Sequence, residues 1–302
     1  MAQHEHSHSH NHGHNHAHVD FAQMIPALES QAELAEPMYR DILDWVRVRR
    51  PEPGLIVDAG SGPGVISGQL AAAFPGARIV AADSEPALLE RARSRAERLG
   101  FADRFSTLEA DLAHGLGELE YPADLLWSSL ALHHVGNQRA ALTACAAALA
   151  PGGTIALVEG GLPPRRLPRD IGIGRPGLQA RMDAVEANWF AEMRTALPGH
   201  VGEVEDWAAL LTAAGLRPTG TRTFLLDLPA PVSDEARSVV IARFTRAREV
   251  YAEHLDAPDR ATLDRLLDPN DKASLHHRPD VFVLEAYTVH TAVKDTDATT
   301  AV

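Results

Sequence analysis

The chain has 302 residues, of which 45% are hydrophobic, so it can bury the core of one large domain or two modest ones. A net charge of −13 argues against a nucleic-acid partner, because phosphate contacts depend on Lys and Arg. No apolar run approaches the ~18 residues of a membrane span, and the first residues lack the basic and apolar regions of a secretory signal. With a single cysteine, Cys145, the composition predicts a cytoplasmic protein that contacts neither a membrane nor a nucleic acid.

Histidine occupies every second position between residues 4 and 18. Neutral imidazoles bind zinc, copper and nickel, so this segment can bind such metals adventitiously. A low-complexity segment lacks the packing that fixes catalytic geometry. We therefore interpret residues 1–20 as a His-rich disordered tail, expect no metal site in the folded part, and assign residues 21–302 to a single domain.

The segment from Gln31 to Arg49 carries apolar residues near helical spacing and is followed by Pro51. This pattern predicts one helix. Pro37 lies inside it, and the alternative is that this proline divides the segment into two helices.

Residues 55–64 are the most informative ten in the chain. An apolar run ends at Asp58, and glycines follow at positions 60, 62 and 64. The run predicts a buried strand, the glycines allow a tight turn and a close approach of the backbone to a ligand, and Val65 to Phe74 predict a helix. The dinucleotide-binding pattern G-x-G-x-x-G is not matched, because the third glycine comes one residue early.

Four further strands are predicted before residue 160, in alternation with helices. They are Arg78–Asp83, Phe105–Ala110, Ala123–Ser129 and Thr154–Glu159. This alternation is typical of a doubly wound parallel sheet. Asp83 follows Gly60 by a spacing close to the ~20 residues expected of an acid that binds ribose hydroxyls.

The remainder of the chain is predicted to contain three helices and two strands. In order, they are a helix over Asp206–Ala214, a strand over Thr219–Leu228, helices over 233–256 and Ala261–Leu267, and a last strand over Val281–Val293. Two connections, 161–204 and 229–280, are long for a compact domain, and long connections often cover a binding site.

Three features together resemble class I S-adenosylmethionine (SAM)-dependent methyltransferases, particularly the ubiquinone-biosynthesis and trans-aconitate methyltransferase types. They are the Asp58-x-Gly-x-Gly-x-Gly64 motif, the stretch Asp124–Val135, and the Leu-Ala-Pro-Gly-Gly turn at 149–153. The resemblance implies an α/β, doubly wound, seven-stranded and mostly parallel sheet of Rossmann-like type, whose seventh strand is antiparallel. It also implies helical lid insertions, formed by 161–204 and 229–280, and SAM as the cofactor, with S-adenosylhomocysteine (SAH) as its product.

The same resemblance implies which residues bind SAM. Asp83 contacts the ribose, Asp111 the adenine, and Ser129 with Leu130 lies beside the transferred methyl group. The full implied set is Asp58, Gly60, Ser61, Gly62, Gly64, Asp83, Ser84, Asp111, Leu112, Ser129 and Leu130.

Methyl transfer requires the two reactants to be aligned and water to be excluded, and a base only when the acceptor arrives protonated. His133 is the candidate base, because it follows the fourth strand at the active edge and imidazole titrates near neutral pH. Weaker candidates for contacts with substrate or cofactor are Tyr39, Arg40, His134, Arg175, Arg181, His276, His277 and Arg278.

The sequence therefore predicts a SAM-dependent methyltransferase that acts on the hydroxyl, carboxylate or amine of a small biosynthetic molecule. Two alternatives remain at this point. One is an NAD(P)-dependent oxidoreductase, and the other is a non-catalytic metal-handling or SAM-binding protein that works through its tail.

Overall fold

The computed structural model describes residues 24–117 and 119–296. The predicted tail, 1–20, lies outside the described residues. Within them, a seven-stranded mixed sheet carries helices on both faces, with the strand order β3-β2-β1-β4-β5-β7-β6. The predicted seven-stranded α/β sheet is thus confirmed.

The bounds of the regular elements follow the chain. The strands are β1 Leu55–Ala59, β2 Arg78–Asp83, β3 Phe105–Glu109, β4 Ala123–Ser129, β5 Leu149–Arg165, β6 Arg217–Leu228 and β7 Val283–Val293. The helices are α1 Ile25–Leu34, α2 Glu36–Arg47, α3 Val65–Ala73, α4 Pro86–Leu99, α5 Gln138–Ala148, α6 Leu178–Thr195, α7 Trp207–Ala213, α8 Asp234–Val250 and α9 Ala257–Leu267.

Strands β1 to β5 are parallel, and β7 runs antiparallel to both of its neighbours, β5 and β6. The strand order reverses between β1 and β4, which lie side by side. In open α/β sheets, ligands bind beyond the carboxyl ends of the strands at such a point. The fold therefore places a binding site at the ends of β1 and β4.

The core lies on both faces of the sheet. Ala156 and Val158 of β5 contribute to one apolar cluster, and Ile155 and Leu157 contribute to the other. This alternation is the period-two pattern of a strand that is buried on both faces. Trp127 of β4 is fully buried in the first cluster.

The N-terminal region is two helices, so the single helix predicted over Gln31–Arg49 is wrong and the divided alternative is correct. Helix α1 ends at Leu34 and α2 begins at Glu36, with Pro37 in its first turn. Proline is tolerated in that position because the first N–H groups of a helix have no intrahelical partner. None of the helices described is both long and apolar enough to cross a membrane.

Strand β5 is much longer than the predicted Thr154–Glu159 and extends from Leu149 to Arg165. Its pairing with β7 continues to the Arg165–Leu284 pair and contains two irregularities of register. The extension reflects a tertiary partner rather than a local pattern, which is why the sequence did not indicate it.

Other boundaries shift by a few residues. The predicted 233–256 helix ends at Val250 and is followed by a short 3-10 turn at Ala252–His254. Helix α9 begins at Ala257, four residues before the predicted start, because the Asp256 side chain accepts a hydrogen bond from the Asp259 N–H and caps it.

Candidate active site

The glycine-rich loop after β1 is folded against the end of β2. The backbone N–H groups of Gly60 and Ser61 both donate to the Ala82 carbonyl, at 2.8 and 3.0 Å. The N–H of Gly62 donates to Asp83 Oδ2 at 2.9 Å. The loop is therefore held by backbone contacts that the neighbouring strand provides.

The three glycines serve different purposes. All have φ between +54° and +77°, a region that favours glycine. A Cβ on Gly60 would lie 2.4 Å from Ala131 Cβ, and a Cβ on Gly64 would lie 2.7 Å from Ala92 Cβ, so these two glycines permit close packing. A Cβ on Gly62 would meet no atom within 4 Å. Of the three, Gly62 is the one whose missing side chain leaves open space for a ligand.

Asp58 is 1% exposed at the end of β1 and accepts a hydrogen bond from Ser67 Oγ at 2.6 Å. Burial raises the pKa of Asp58 from 3.8 to about 7, and the bond from Ser67 opposes this rise. The Asp58 carboxyl thus fixes the first turn of α3 to the strand, directly behind the loop.

The Asp83 carboxylate lies at the end of β2, where its oxygens accept from the backbone N–H groups of the glycine loop and of the turn after β2. Oδ2 accepts from Gly62 and Oδ1 from Glu85, at 2.9 and 3.1 Å. Burial raises the pKa of Asp83, and the backbone donors oppose the rise. A carboxylate oxygen has capacity for a second donor, so Asp83 can still accept ribose hydroxyls.

Asp111 follows β3, the strand beside β2, and its side chain is exposed. Oδ1 accepts from the Ala113 N–H at 2.9 Å, and Oδ2 lies 3.1 Å from His114 Nδ1. Leu112 is buried near Gly60, whereas Ser84 is exposed. The predicted cofactor residues thus follow the ends of adjacent strands, in the order that an extended nucleoside needs.

A tyrosine from α2 joins the other predicted residues at the end of β4. Tyr39 is buried, and its hydroxyl lies 2.7 Å from Ser129 Oγ. Leu130 has φ +52°, which is unusual for a residue with a side chain, and its N–H donates to the Val158 carbonyl at 2.9 Å. Backbone strain of this kind is concentrated at functional sites.

His133 lies in a 3-10 turn directly after β4, and its Nδ1 is 2.6 Å from Glu159 Oε2. Glu159 is 2% exposed on β5 and was not among the predicted site residues. The His133 ring also packs against Phe190 of α6, with ring centroids 5.6 Å apart. The 161–204 segment, which contains α6, therefore lies against the candidate base.

The three arginines considered for substrate contacts have carboxylate partners within the protein. Arg175 and Arg181 both bind Asp259, at 2.7 and 2.9 Å, and Arg278 binds Asp280 at 2.7 Å.

Three of the other weaker candidates are exposed. Arg40 is paired with Glu36, also on α2. The exposed His276 and His277 precede β7, and His277 Nε2 lies 2.7 Å from the Pro269 carbonyl oxygen.

A buried arginine that the sequence did not single out lies just beyond β5. Arg166 is 5% exposed, and its Nη2 contacts Glu285 Oε1 of β7. Within the described part of the chain, Arg166 Nε has no hydrogen-bond partner. Burial lowers the pKa of Arg166, with a further contribution from the positive charge of Arg243 on α8.

Comparison with known proteins agrees with this geometry. Residues 56–153 match the family model described as "Methyltransferase domain". A trans-aconitate 2-methyltransferase of Methylobacterium nodulans is 31% identical over 237 residues, which cover 70% of this chain and 83% of the relative. The enzyme of the same name from Methylobacterium radiotolerans is 31% identical over 222 residues, covering 67% of this chain and 80% of the relative.

The fold also has counterparts among solved structures. A crystal structure of a proposed methyltransferase from Bacillus halodurans superposes with a TM-score of 0.52 and 15% identity, covering 85% of this chain and 99% of the other. These comparisons support neither the oxidoreductase nor the non-catalytic alternative. Among the described residues, no group of three or more His, Cys, Asp or Glu side chains could hold a metal ion.

Proposed function

The chain belongs to the class I SAM-dependent methyltransferases, and on this premise we propose that it methylates an oxygen atom of a small organic acid. SAM is the cofactor. When bound, it supplies a methyl group on a sulfonium centre, so the remaining tasks of the protein are alignment and the exclusion of water.

The residues around the glycine loop suit this cofactor. We assign the methionine part of SAM to the backbone of Gly60, Ser61 and Gly62, because the open space lies in front of Gly62. Asp83 would accept from the ribose hydroxyls, and Asp111 from the adenine amino group. Asp58 would hold the loop from behind, through its bond with Ser67.

The acceptor would bind on the other side of the β4 end, beneath the 161–204 and 229–280 segments. Ser129 and Leu130 would lie beside the methyl group. The Tyr39 ring connects Ser129 to Tyr287 of β7, with ring centroids of the two tyrosines 5.9 Å apart. In this assignment both segments cover the substrate and exclude water, as long connections at an active edge often do.

Arg166 is the observation that carries the choice of an organic acid. An unpaired polar group in the interior costs free energy, and Arg50, Arg95 and Arg194 share with Arg166 a buried Nε that has no partner among the described residues. Arg166 differs from them in position, because its partner Glu285 also accepts from the hydroxyl of Tyr287, whose ring packs against Tyr39. The unpartnered Arg166 Nε, together with the positive charge of nearby Arg243, suits a carboxylate of the acceptor. The relatives' name, trans-aconitate 2-methyltransferase, refers to a small carboxylic acid and agrees with this choice.

The test is methyl transfer from SAM carrying a labelled methyl group to a panel of small acids that includes trans-aconitate, with matched amines and uncharged alcohols as controls. We expect label in at least one of the acids and in none of the amines or uncharged alcohols. We also expect Arg243→Met to raise the KM for the acid, whereas Arg246→Met, on the same helix, leaves it unchanged. Transfer to amines or uncharged alcohols in preference to acids would overturn the proposal.

A further inference from the structure

The contact between His133 and Glu159 has the geometry of an oriented base. The Nδ1–Oε2 distance is 2.6 Å, and it joins the turn after β4 to the neighbouring strand β5. A carboxylate that accepts a hydrogen bond from Nδ1–H leaves the lone pair of the neutral imidazole on Nε2. The ring is then held in the tautomer that can accept a proton at Nε2.

Burying the Glu159 carboxylate beside His133 costs free energy, because one of its two oxygens is left without a hydrogen bond in the described part of the chain. Glu159 is 2% exposed, and its other oxygen, Oε1, has no hydrogen-bond partner among the described residues. Of the buried carboxylate oxygens in that part of the chain, it is the only one left in this state. An unpaired carboxylate oxygen in the interior is strongly unfavourable, and retained burial costs of this kind are concentrated at functional sites.

The His133–Glu159 pair lies next to the residues that we assign to the transferred methyl group. Ser129 and Leu130, the residues assigned to the methyl group, precede the turn that carries His133. The Leu130 N–H donates to Val158, the residue before Glu159. Phe190 of α6 packs on the imidazole and shields it from one side, and 22% of the His133 side chain remains exposed.

We propose that Glu159 is a positioning residue that holds His133 as a general base, and that the methylated atom is therefore a hydroxyl oxygen of the acceptor. This inference rests on the proposed function and specifies its acceptor. A carboxylate is already ionised at neutral pH and needs no base, whereas a hydroxyl must lose its proton. The acceptor is thus a hydroxy acid, whose carboxylate binds near Arg166 and whose hydroxyl faces His133.

The step balances without a further reactant. The hydroxyl proton passes to His133 Nε2 as the oxygen forms a bond to the methyl carbon. The methyl–sulfur bond breaks, and its electron pair stays on the sulfur of SAH. The negative charge of Glu159 stabilises the imidazolium that forms.

Other charged groups surround the pair and belong in any interpretation of pH dependence. The His134 ring lies against His133, with centroids 4.1 Å apart and the ring planes tilted by 47°, and the charge of Arg194 on α6 acts on His134. Arg194 itself contacts Glu205. Glu159 is the carboxylate that contacts His133 directly.

The experiment compares hydroxy acids with their deoxy analogues as acceptors, namely malate with succinate and citrate with tricarballylate. Labelled product is then treated with alkali, which releases methanol from a methyl ester and leaves a methyl ether intact. We expect transfer to the hydroxy acids only, and a product that resists alkali. An alkali-labile product, or equal transfer to the deoxy acids, would overturn the inference.

The role of the two residues is tested with His133→Gln, Glu159→Gln and His290→Gln, the last a control on β7. General-base catalysis contributes about 10²–10⁴-fold, so we expect His133→Gln to lower kcat by that factor. Glu159→Gln should lower kcat by at least about tenfold and move the acid limb of the pH–rate profile to lower pH, because the imidazolium loses its counter-charge. A purely structural role would lower the rate equally at every pH and leave the limb in place.

A second readout does not depend on the acceptor. Ring ¹⁵N chemical shifts of His133, assigned by subtracting the spectrum of His133→Gln, report its tautomer. We expect the Nδ1–H form in the SAH-bound protein and a mixture of tautomers in Glu159→Gln. Unchanged ring shifts would overturn the positioning role. If no acid accepts a methyl group although SAH binds, the proposed function fails, and the ring shifts still decide the role of Glu159.

Discussion

The two halves of the site are constructed differently. We assign SAM to the donor half, β1 to β4 with the glycine loop, where the backbone of the loop is held by the neighbouring strand, as in the contact between Gly62 and Asp83. The acceptor half, β5 to β7 with the 161–204 and 229–280 segments, depends on side chains from distant parts of the chain. Arg166 and Glu285 are 119 residues apart. In the proposed assignment, the cofactor would thus be held mainly by backbone geometry, and the acceptor by side-chain contacts between different elements of the fold.

The largest effect is expected from separating the buried pair in the acceptor half. Arg166→Met leaves the Glu285 carboxylate buried without its partner, and breaking a buried ion pair costs about 3–5 kcal/mol. The double variant Arg166→Met/Glu285→Met should recover most of this loss, since no buried charge remains. Urea denaturation measures both, and a double variant as unstable as the single one would contradict this interpretation.

The free energy of unfolding is expected to depend on pH through Asp58, the buried carboxyl next to the glycine loop. Burial raises the pKa of Asp58 from 3.8 to about 7, so the folded protein binds a proton that the unfolded chain has lost between these values. The stability that this proton contributes is complete below pH 3.8 and is lost as the pH rises through about 7. A shift of this size corresponds to at most about 4 kcal/mol.

Asp58→Asn should therefore flatten the fall in the free energy of unfolding between about pH 4 and 7. The exposed Asp111→Asn is the control and should keep the wild-type slope. Equal slopes in wild type and Asp58→Asn would show that Asp58 is ionised over this range.

This difference between the halves explains what the sequence could and could not predict. The Asp58–Gly64 motif and the alternation of strands and helices predicted the parallel part of the sheet and the position of Asp83 at the end of a strand, because short spacings and periodicity determine them. The antiparallel last strand was implied by the family resemblance and is confirmed by the pairing of β7. Glu159 and Arg166, which the proposals place in the site, were not among the residues that the sequence predicted. Their importance depends on burial and on partners in other elements, and no local pattern signals either.

One of the errors in the predicted elements has the same origin. The length of β5 depends on its pairing with β7, a partner distant in sequence. The division between α1 and α2 is a different case, because Pro37 in the first turn of α2 is a local signal that was weighed only as the alternative. A glutamate at the end of a predicted parallel strand is a usable signal in retrospect, since such ends meet at the ligand edge.

A smaller difference in stability is expected between alanine substitutions at two glycines of the donor half, Gly60 and Gly62. Gly60→Ala places its Cβ against Ala131 and should cost roughly 2–3 kcal/mol of stability. Gly62→Ala meets no atom and should cost about 1–2 kcal/mol, from its positive φ alone. Its Cβ projects into the space assigned to SAM, however, so SAH affinity should fall although the fold is retained. Calorimetry and thermal denaturation distinguish the two variants.

The smallest effect is expected at Arg40, which the sequence suggested as a cover for the cofactor. Its guanidinium is exposed and contacts Glu36 one turn earlier. Exposed pairs contribute about 0–1 kcal/mol, so Arg40→Ala should change neither stability nor SAH affinity measurably. A clear loss of SAH affinity in this variant would place Arg40 in the donor half after all.

The most direct test of the central claim is calorimetric binding of SAH to wild type, Asp83→Ala and Asp103→Ala, with NADH as the comparison ligand. Asp103 is exposed and serves as the control for removal of an acid. We expect the wild type and Asp103→Ala to bind SAH equally and not to bind NADH, and Asp83→Ala to lose at least tenfold in SAH affinity with its fold retained. Unchanged SAH affinity in Asp83→Ala would contradict the assignment of the donor site.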